Sequence, residues 1–342
     1  MTRPYSFLTA WHDAGQPAGF EFESAESSVR IAAGSTVAVP LVQWRLIRIS
    51  GDDRVTFLHN LVSNDVQKLA SGALQWNSLN SAKGRMIASF LLWKEEDCLM
   101  LALAADLHAQ VLKKLSMYVL RSKTRVEDAT ESCALIAVAG PKAEEILAQV
   151  GCDLPAAPMT GAPLANPRTL QLDPSRFVVL AEAGRDGEVW QALLAAGAVA
   201  AGSAAWNLHQ IRAGLPQVTA PVQEEFVAQM LNFELIGGVS FTKGCYPGQE
   251  IVARTQYLGK LKKRMYHLGS ATQPQVGEDL FGEGFGDQAI GKVVLSAPTP
   301  EGGWECLAVA QTAAVEAGPL RLGNATGAAL TLLELPYPLA AA

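Results

Sequence analysis

One thiol in this chain stands in a setting that suits chemistry. Cys245 lies in GGVSFTKGCYPGQEIVART, from Gly237 to Thr255, flanked by Gly244 and Gly248. Lys243 stands two residues before it, and Gln249-Glu250 follow. Glycine permits positive φ and proline presets a turn, so Gly244, Pro247 and Gly248 predict a tight loop between strand-like GVSFT and strand-like EIVART. A cysteine reacts as its thiolate, and a nearby cation favours that form. Lys243 is the first candidate cation and Arg254 the second, with Glu250 opposing them. The plain alternative is a small buried hydrophobe. That is the expectation for Cys98, Cys133 and Cys306, each inside an apolar strand pattern, while Cys152 simply follows a helix. A nucleophile also needs a base, and the five histidines, at 12, 59, 108, 209 and 267, all lie far from Cys245 along the chain.

The elements that must hold this loop alternate along the chain. LVQWRLIRIS (41–50) reads as a strand, Gly51-Asp52-Asp53 as a turn and helix cap, and RVTFLHNLV as a helix. ALQWNSLN and RMIASFLLWK read as strands joined by the turn SAKG, and CLMLALA and CALIAVA as further strands. ADLHAQVLKKLSMYVLRSK, GPKAEEILAQVG, DGEVWQALLAAG and AAWNLHQIRAG read as helices. Residues 1–40 are expected to be an irregular arm and 153–167 a loop. The pattern does not resemble a Rossmann fold: there is no GxGxxG between a strand and a helix, and no GxxxxGK[ST]. After about residue 260, short strands alternate with Gly/Pro turns and no helix is evident, which predicts a small C-terminal β-barrel or sandwich. The fold class is α+β, with a body over 1–255 and a β-barrel over 256–342.

The totals limit what the chain does. It has 342 residues, 49% hydrophobic and 18% charged, with a net charge of −6. A general affinity for nucleic acid or an anionic membrane is therefore not expected. The longest apolar run is about ten residues, where a membrane span needs about twenty. No export signal is evident, and the five cysteines form no CxxC pair. Both point to a reducing cytoplasm and away from disulfides. No clustered Cys/His spacing suggests a metal site.

FTKGCYPGQEIVAR resembles the signature of the YgfZ-type folate-binding proteins, relatives of the glycine-cleavage T-protein (aminomethyltransferase). The likeness continues through LIRISGDDRVTFLHNLVSNDVQ, SAKGRM, IRAGLP, LNFELIGGVSF and LPYPL. It implies an aminomethyltransferase-like folate-binding α+β body with a C-terminal antiparallel β-barrel. It implies tetrahydrofolate or a one-carbon derivative as cofactor, and a role supporting Fe–S cluster assembly or repair, including in enzymes of tRNA modification. The expected partners are folate and, transiently, Fe–S client proteins, with no membrane and no direct RNA binding.

Trp44 and Trp206 align with tryptophans of the family's folate site and are expected to stack on the flat pterin. RTQYLGKLKKR carries Arg254, Lys260, Lys262, Lys263 and Arg264 without an acid. It reads as a site for a polyglutamate tail or an RNA backbone, with Arg254 assigned to folate, or as a solvated strand edge guarded by lysines. Two departures stand out. Arg212 occupies a position where the family commonly has an acid that meets the pterin edge, and an arginine accepts no hydrogen bond. Ile87 and Ala88 stand where the transferases have paired aspartates, and neither handles a proton. The chain is therefore not expected to transfer an aminomethyl group, and Cys245, assisted by Lys243, is taken as its functional thiol. A folate-dependent one-carbon transferase and an RNA-binding module remain the alternatives.

Overall fold

The computed structural model describes residues 4–17, 19–163, 166–257 and 261–339. The chain packs as two units. One takes the residues up to His59, then Val66–Gln75 and Phe90–Trp206, and the other takes Asn60–Asp65, Trp76–Ser89 and everything from Asn207 onward.

The first unit is built on a six-stranded sheet. Its order is Val199–Ala200, Val37–Pro40, Cys133–Ala139, Arg176–Glu182, Arg168–Asp173, Thr160–Gly161. Every pairing is antiparallel except Val37–Pro40 with Val199–Ala200. CALIAVA is buried at all positions but its first. Such an unbroken apolar run suits a strand covered on both faces. Ile146 and Leu147 of helix Ala143–Gln149 and Val189 and Leu193 of helix Asp186–Ala195 close over Val138, Phe177 and Val179. A five-stranded sheet has the order Leu74–Asn80, Met86–Lys94, Cys98–Ala104, Trp44–Ser50, Arg125–Asp128. Its central strand, CLMLALA, is wholly buried.

The expected irregular arm is partly regular. Helix Thr9–Asp13 carries the buried Trp11, which packs with Tyr5, Leu8, Val42 and Ala134. Helix Ala25–Gly34 starts at Ser24, whose side chain accepts the Ser27 N–H at 3.1 Å. That N-cap was present in the sequence, but small polar residues around it masked the helical period.

In the second unit, six antiparallel strands close into a barrel. Their order is Lys263–Ser270, Trp304–Gln311, Gly291–Pro298, Asp279–Gly282, Leu320–Leu322, Ala329–Leu333. Leu268, Leu280, Val293 and Ala308 fill its interior. The C-terminal part also contains a helix that the sequence reading lacked, Thr312–Ala317, with Ala314 buried in the barrel cluster. The α+β class with a C-terminal antiparallel barrel stands.

Candidate functional site

The loop around Cys245 is positioned by backbone contact. GVSFT is not a strand, and EIVART belongs to helix Gln249–Tyr257. The adjacent β-branched pair Ile251-Val252 read as a strand. Only Val252 is buried while Ile251 is exposed, and Gln, Glu, Ala and Arg around them favour helix. Gly248 has φ +78°, and a Cβ there would lie 2.4 Å from the Ser81 carbonyl oxygen and 2.5 Å from the Gly84 Cα. Gly84, φ +71°, has no room either: its Cβ would meet the Ile251 side chain at 2.9 Å. The hairpin turn Ser81–Gly84 and the start of the helix therefore touch glycine to glycine. On this support Cys245 is exposed. Cys98 and Cys306 are buried, as expected of small hydrophobes; Cys133, of which the same was expected, is only half-buried, and Cys152 after its helix is buried as well.

Lys243 is buried and held by backbone acceptors. Its ammonium donates to the carbonyls of Val62 at 2.6 Å and Asn64 at 3.0 Å and lies 5.0 Å from the centre of the Tyr246 ring. Burial pushes its pKa down to about 8, with the charge of Asp65 opposing the fall. Burial likewise raises the Tyr246 phenol to about 12. The lysine thus anchors backbone through its ammonium, two residues before the exposed thiol.

The segment that it anchors was missed by the sequence reading. Ser63 Oγ donates to the Gly238 carbonyl at 2.7 Å, and the Ser240 N–H donates to the Ser63 carbonyl at 3.0 Å. Asn64 Nδ2 donates to the carbonyls of Trp76 at 3.0 Å and Gly237 at 2.6 Å. Both side chains are buried. Their only sequence signal was their place inside the matched stretch LVSNDVQ.

The basic run does not act as one patch. Arg254 is exposed on the helix, and Lys260 lies outside the described residues. Arg264 is ion-paired with Glu234 and donates to the Gln229 carbonyl at 3.2 Å. Arg85 donates to the carbonyls of Glu224 and Glu225. Ile87 and Ala88, 2% and 0% exposed, sit in strand Met86–Lys94 with no ionisable group of their own.

Trp44 and Trp206 do come together, in the first unit. Their ring centres are 5.9 Å apart at an interplanar angle of 84°, edge to face. The Arg176 guanidinium lies 5.8 Å from the centre of the Trp206 ring. The rings are 4% and 1% exposed, so neither presents the open face that stacking requires. Among the described residues, neither buried indole N–H group has an acceptor, and nor does the neighbouring Gln43 Nε2. The Gln43 Oε1 is used, accepting from Ser203 Oγ at 3.3 Å. Three unsatisfied donors in one neighbourhood are unusual, because a buried polar group without a partner costs about 1–3 kcal/mol.

The chain matches the family described as GCVT N-terminal domain over residues 3–164. The tRNA-modifying protein YgfZ of Vibrio vulnificus (strain YJ016) is 31% identical over 265 residues, 75% of this chain and 79% of that protein. Its counterpart in Yersinia pestis (strain Pestoides F) is 30% identical over 309 residues, 88% of this chain and 92% of that one. The chain belongs to the YgfZ family. Among solved structures, the glycine cleavage system aminomethyltransferase T from Bartonella henselae matches with a TM-score of 0.77 over 98% of both chains, at 16% identity. That likeness fixes the fold. Among the described residues, no helix is long and apolar enough to cross a membrane, and no group of three or more His, Cys, Asp or Glu is placed to hold a metal.

Against the YgfZ-family background, Arg212 has an evident occupation. Its guanidinium grips Glu305 with Nη2 at 2.8 Å and Nε at 3.1 Å, and His267 Nε2 lies 2.9 Å from the same carboxylate. Burial would raise Glu305, but the hydrogen bonds from His267 and Arg212 and their charges hold it at about 2. Arg212 is thus tied to the barrel strand Trp304–Gln311.

Proposed function

We propose that this YgfZ-family chain is a folate-binding accessory protein of tRNA modification that supports Fe–S enzymes and does not transfer an aminomethyl group. The tRNA-modification part follows its relatives, which are tRNA-modifying proteins. The folate part follows the GCVT match and the aminomethyltransferase fold, joined to one observation in this chain: the buried, unsatisfied N–H donors of Trp44, Trp206 and Gln43. A reduced pterin has two good acceptors, its 4-carbonyl oxygen and N1, among several N–H donors, and this donor set would suit those two acceptors edge-on. Stacking on the indole faces does not fit. A bound reduced folate supplies a carrier for one-carbon groups, and the residues named here hold and orient it.

Burial of apolar Ile87 and Ala88 speaks against proton handling at those positions, and hence against transferase chemistry. The exposed Cys245 is assigned the thiol work. Clusters usually take four ligands, so one thiolate would hold a cluster only together with a client's own ligands.

The decisive experiment is a tetrahydrofolate titration followed by protein fluorescence in wild type, Trp44→Phe and Trp206→Phe. Phenylalanine keeps an aromatic face and deletes the donor. Each variant is expected to bind about five- to tenfold more weakly, the worth of one hydrogen bond. Undiminished binding in both removes the donor assignment, and no binding in wild type removes the folate reading. Cys245→Ser is expected to fail to restore Fe–S enzyme activity in a deletion strain, and full restoration would refute the thiol's role.

A further inference from the structure

The first unit contains an open cavity of about 1050 Å³ that the folate reading does not use. Its cationic wall is made by Arg54, Lys94 and Arg168. No carboxylate among the described residues pairs with either of the first two. Arg54 donates to the carbonyls of Gly51 at 3.0 Å and Glu96 at 3.5 Å. Lys94 is half-buried, and burial together with the Arg54 charge pushes its pKa down. Two like charges lining one cavity without a counter-ion cost stability unless something else arrives to neutralise them.

Arg168 supplies an independent observation. It is 6% exposed, lines the same cavity, and pairs with Glu95, yet its buried Nε has no hydrogen-bond partner among the described residues. Glu95 is itself occupied, accepting the Trp93 indole N–H at 2.6 Å as well. Glu96 also lines the cavity, but it is exposed, and the charge that acts on Lys94 is that of Arg54. The remaining wall is apolar or small, with Val55, Leu99 and Leu154 as its larger members.

We propose that this cavity binds a small organic anion, an apolar body bearing one carboxylate or phosphate, with its head group on Lys94, Arg54 and the Nε of Arg168. The geometry suits such a ligand because an apolar wall with a few convergent polar groups is the usual form of a small-molecule site. The Lys94 ammonium and the Arg168 Nε–H can donate to either head group, and the Arg54 charge attracts both. The site is separate from the donors of Trp44 and Trp206, so it stands or falls independently of the folate reading.

Calorimetric titration tests it with four probes on the full chain: 4-phenylbutyrate, phenyl phosphate, the neutral 4-phenylbutan-1-ol, and inorganic phosphate. One equivalent of an aromatic anion is expected to bind, at least tenfold more tightly than the alcohol and than inorganic phosphate. The tighter of the two aromatic anions identifies the head group. Lys94→Met is expected to weaken anion binding about tenfold or more, the loss of one desolvated charge contact. The same variant without ligand is expected to melt no lower than wild type, a result that a merely structural lysine would not give. Ala156→Trp, an exposed rim position chosen to fill the cavity without touching the core, is expected to abolish binding while folding normally. The proposal is overturned by equal affinity for anion and alcohol, by unchanged binding in Lys94→Met or Ala156→Trp, or by displacement of the probe when tetrahydrofolate saturates the tryptophan response.

Discussion

Two lysines, one in each unit, feel burial in the same direction and end in opposite situations. Lys243 is buried beside the Cys245 loop and gives its protons to the carbonyls of Val62 and Asn64. Lys94 is half-buried, lines the same cavity as the cation Arg54, and has no acceptor among the described residues. A charge taken from water must be compensated, and the two regions do so differently. Around Lys243 the compensation is built from the chain itself, so the residue fixes architecture. Around Lys94 it is missing, so the residue waits for a ligand. A low lysine pKa therefore does not by itself mark a functional group; the partners of the ammonium decide.

The sharpest way to break this comparison uses a glycine from each region. Gly248→Ala forces a methyl into backbone at φ +78° and is expected to cost about 3–5 kcal/mol, because the obstructing atoms cannot move aside. Gly72, on the cavity wall, has φ +77° but its nearest obstruction is 3.7 Å away. Gly72→Ala is expected to cost only the conformational strain, about 1–2 kcal/mol. Urea denaturation of both variants gives the difference, and equal losses would mean that the Cys245 loop is as loosely held as the cavity rim.

A middle-sized effect separates the lysines themselves. Lys243→Met strands two carbonyls and is expected to destabilise by about 2 kcal/mol, whereas Lys94→Met is expected to leave stability unchanged or slightly higher. The same denaturation curves report it, and reversal of the two would exchange their roles. The smallest effect is a graded one with pH. In the unfolded chain the Lys243 amine loses its proton near 10.5, in the folded chain at about 8. Between those values the unfolded state binds more protons, so stability rises with pH. Wild type minus Lys243→Met should thus become more favourable from pH 8 to 10.5, and a flat or falling difference would place the ammonium in a more hydrated setting.

How much of this was visible beforehand depended on whether the deciding contact was local. CALIAVA declared its buried strand because seven adjacent residues carry the signal. The barrel was readable from strand and turn spacing, and even there Thr312–Ala317 was lost because six residues give too little helical period. Gly248 was legible as a turn residue, but the reason for it lies in Ser81 and Gly84. The cation beside Cys245 was inferred from adjacency, while its real partners stand 181 and 179 positions away. Trp44 and Trp206 were identified by type and by resemblance. That they meet edge to face with buried donors is a fact of packing that no pattern encodes. Arg54, Lys94 and Arg168 share no motif, so the cavity was invisible until the fold assembled it.

The glycine-to-glycine contact has a practical consequence. Hairpin and helix start are in mutual backbone contact, so a shift of residues 81–84 must be passed along three residues of chain to the exposed sulfur. A fluorophore attached to that sulfur would then work as a gauge of the hairpin. Its anisotropy should respond whenever residues 81–84 are displaced, even by something that never touches the dye.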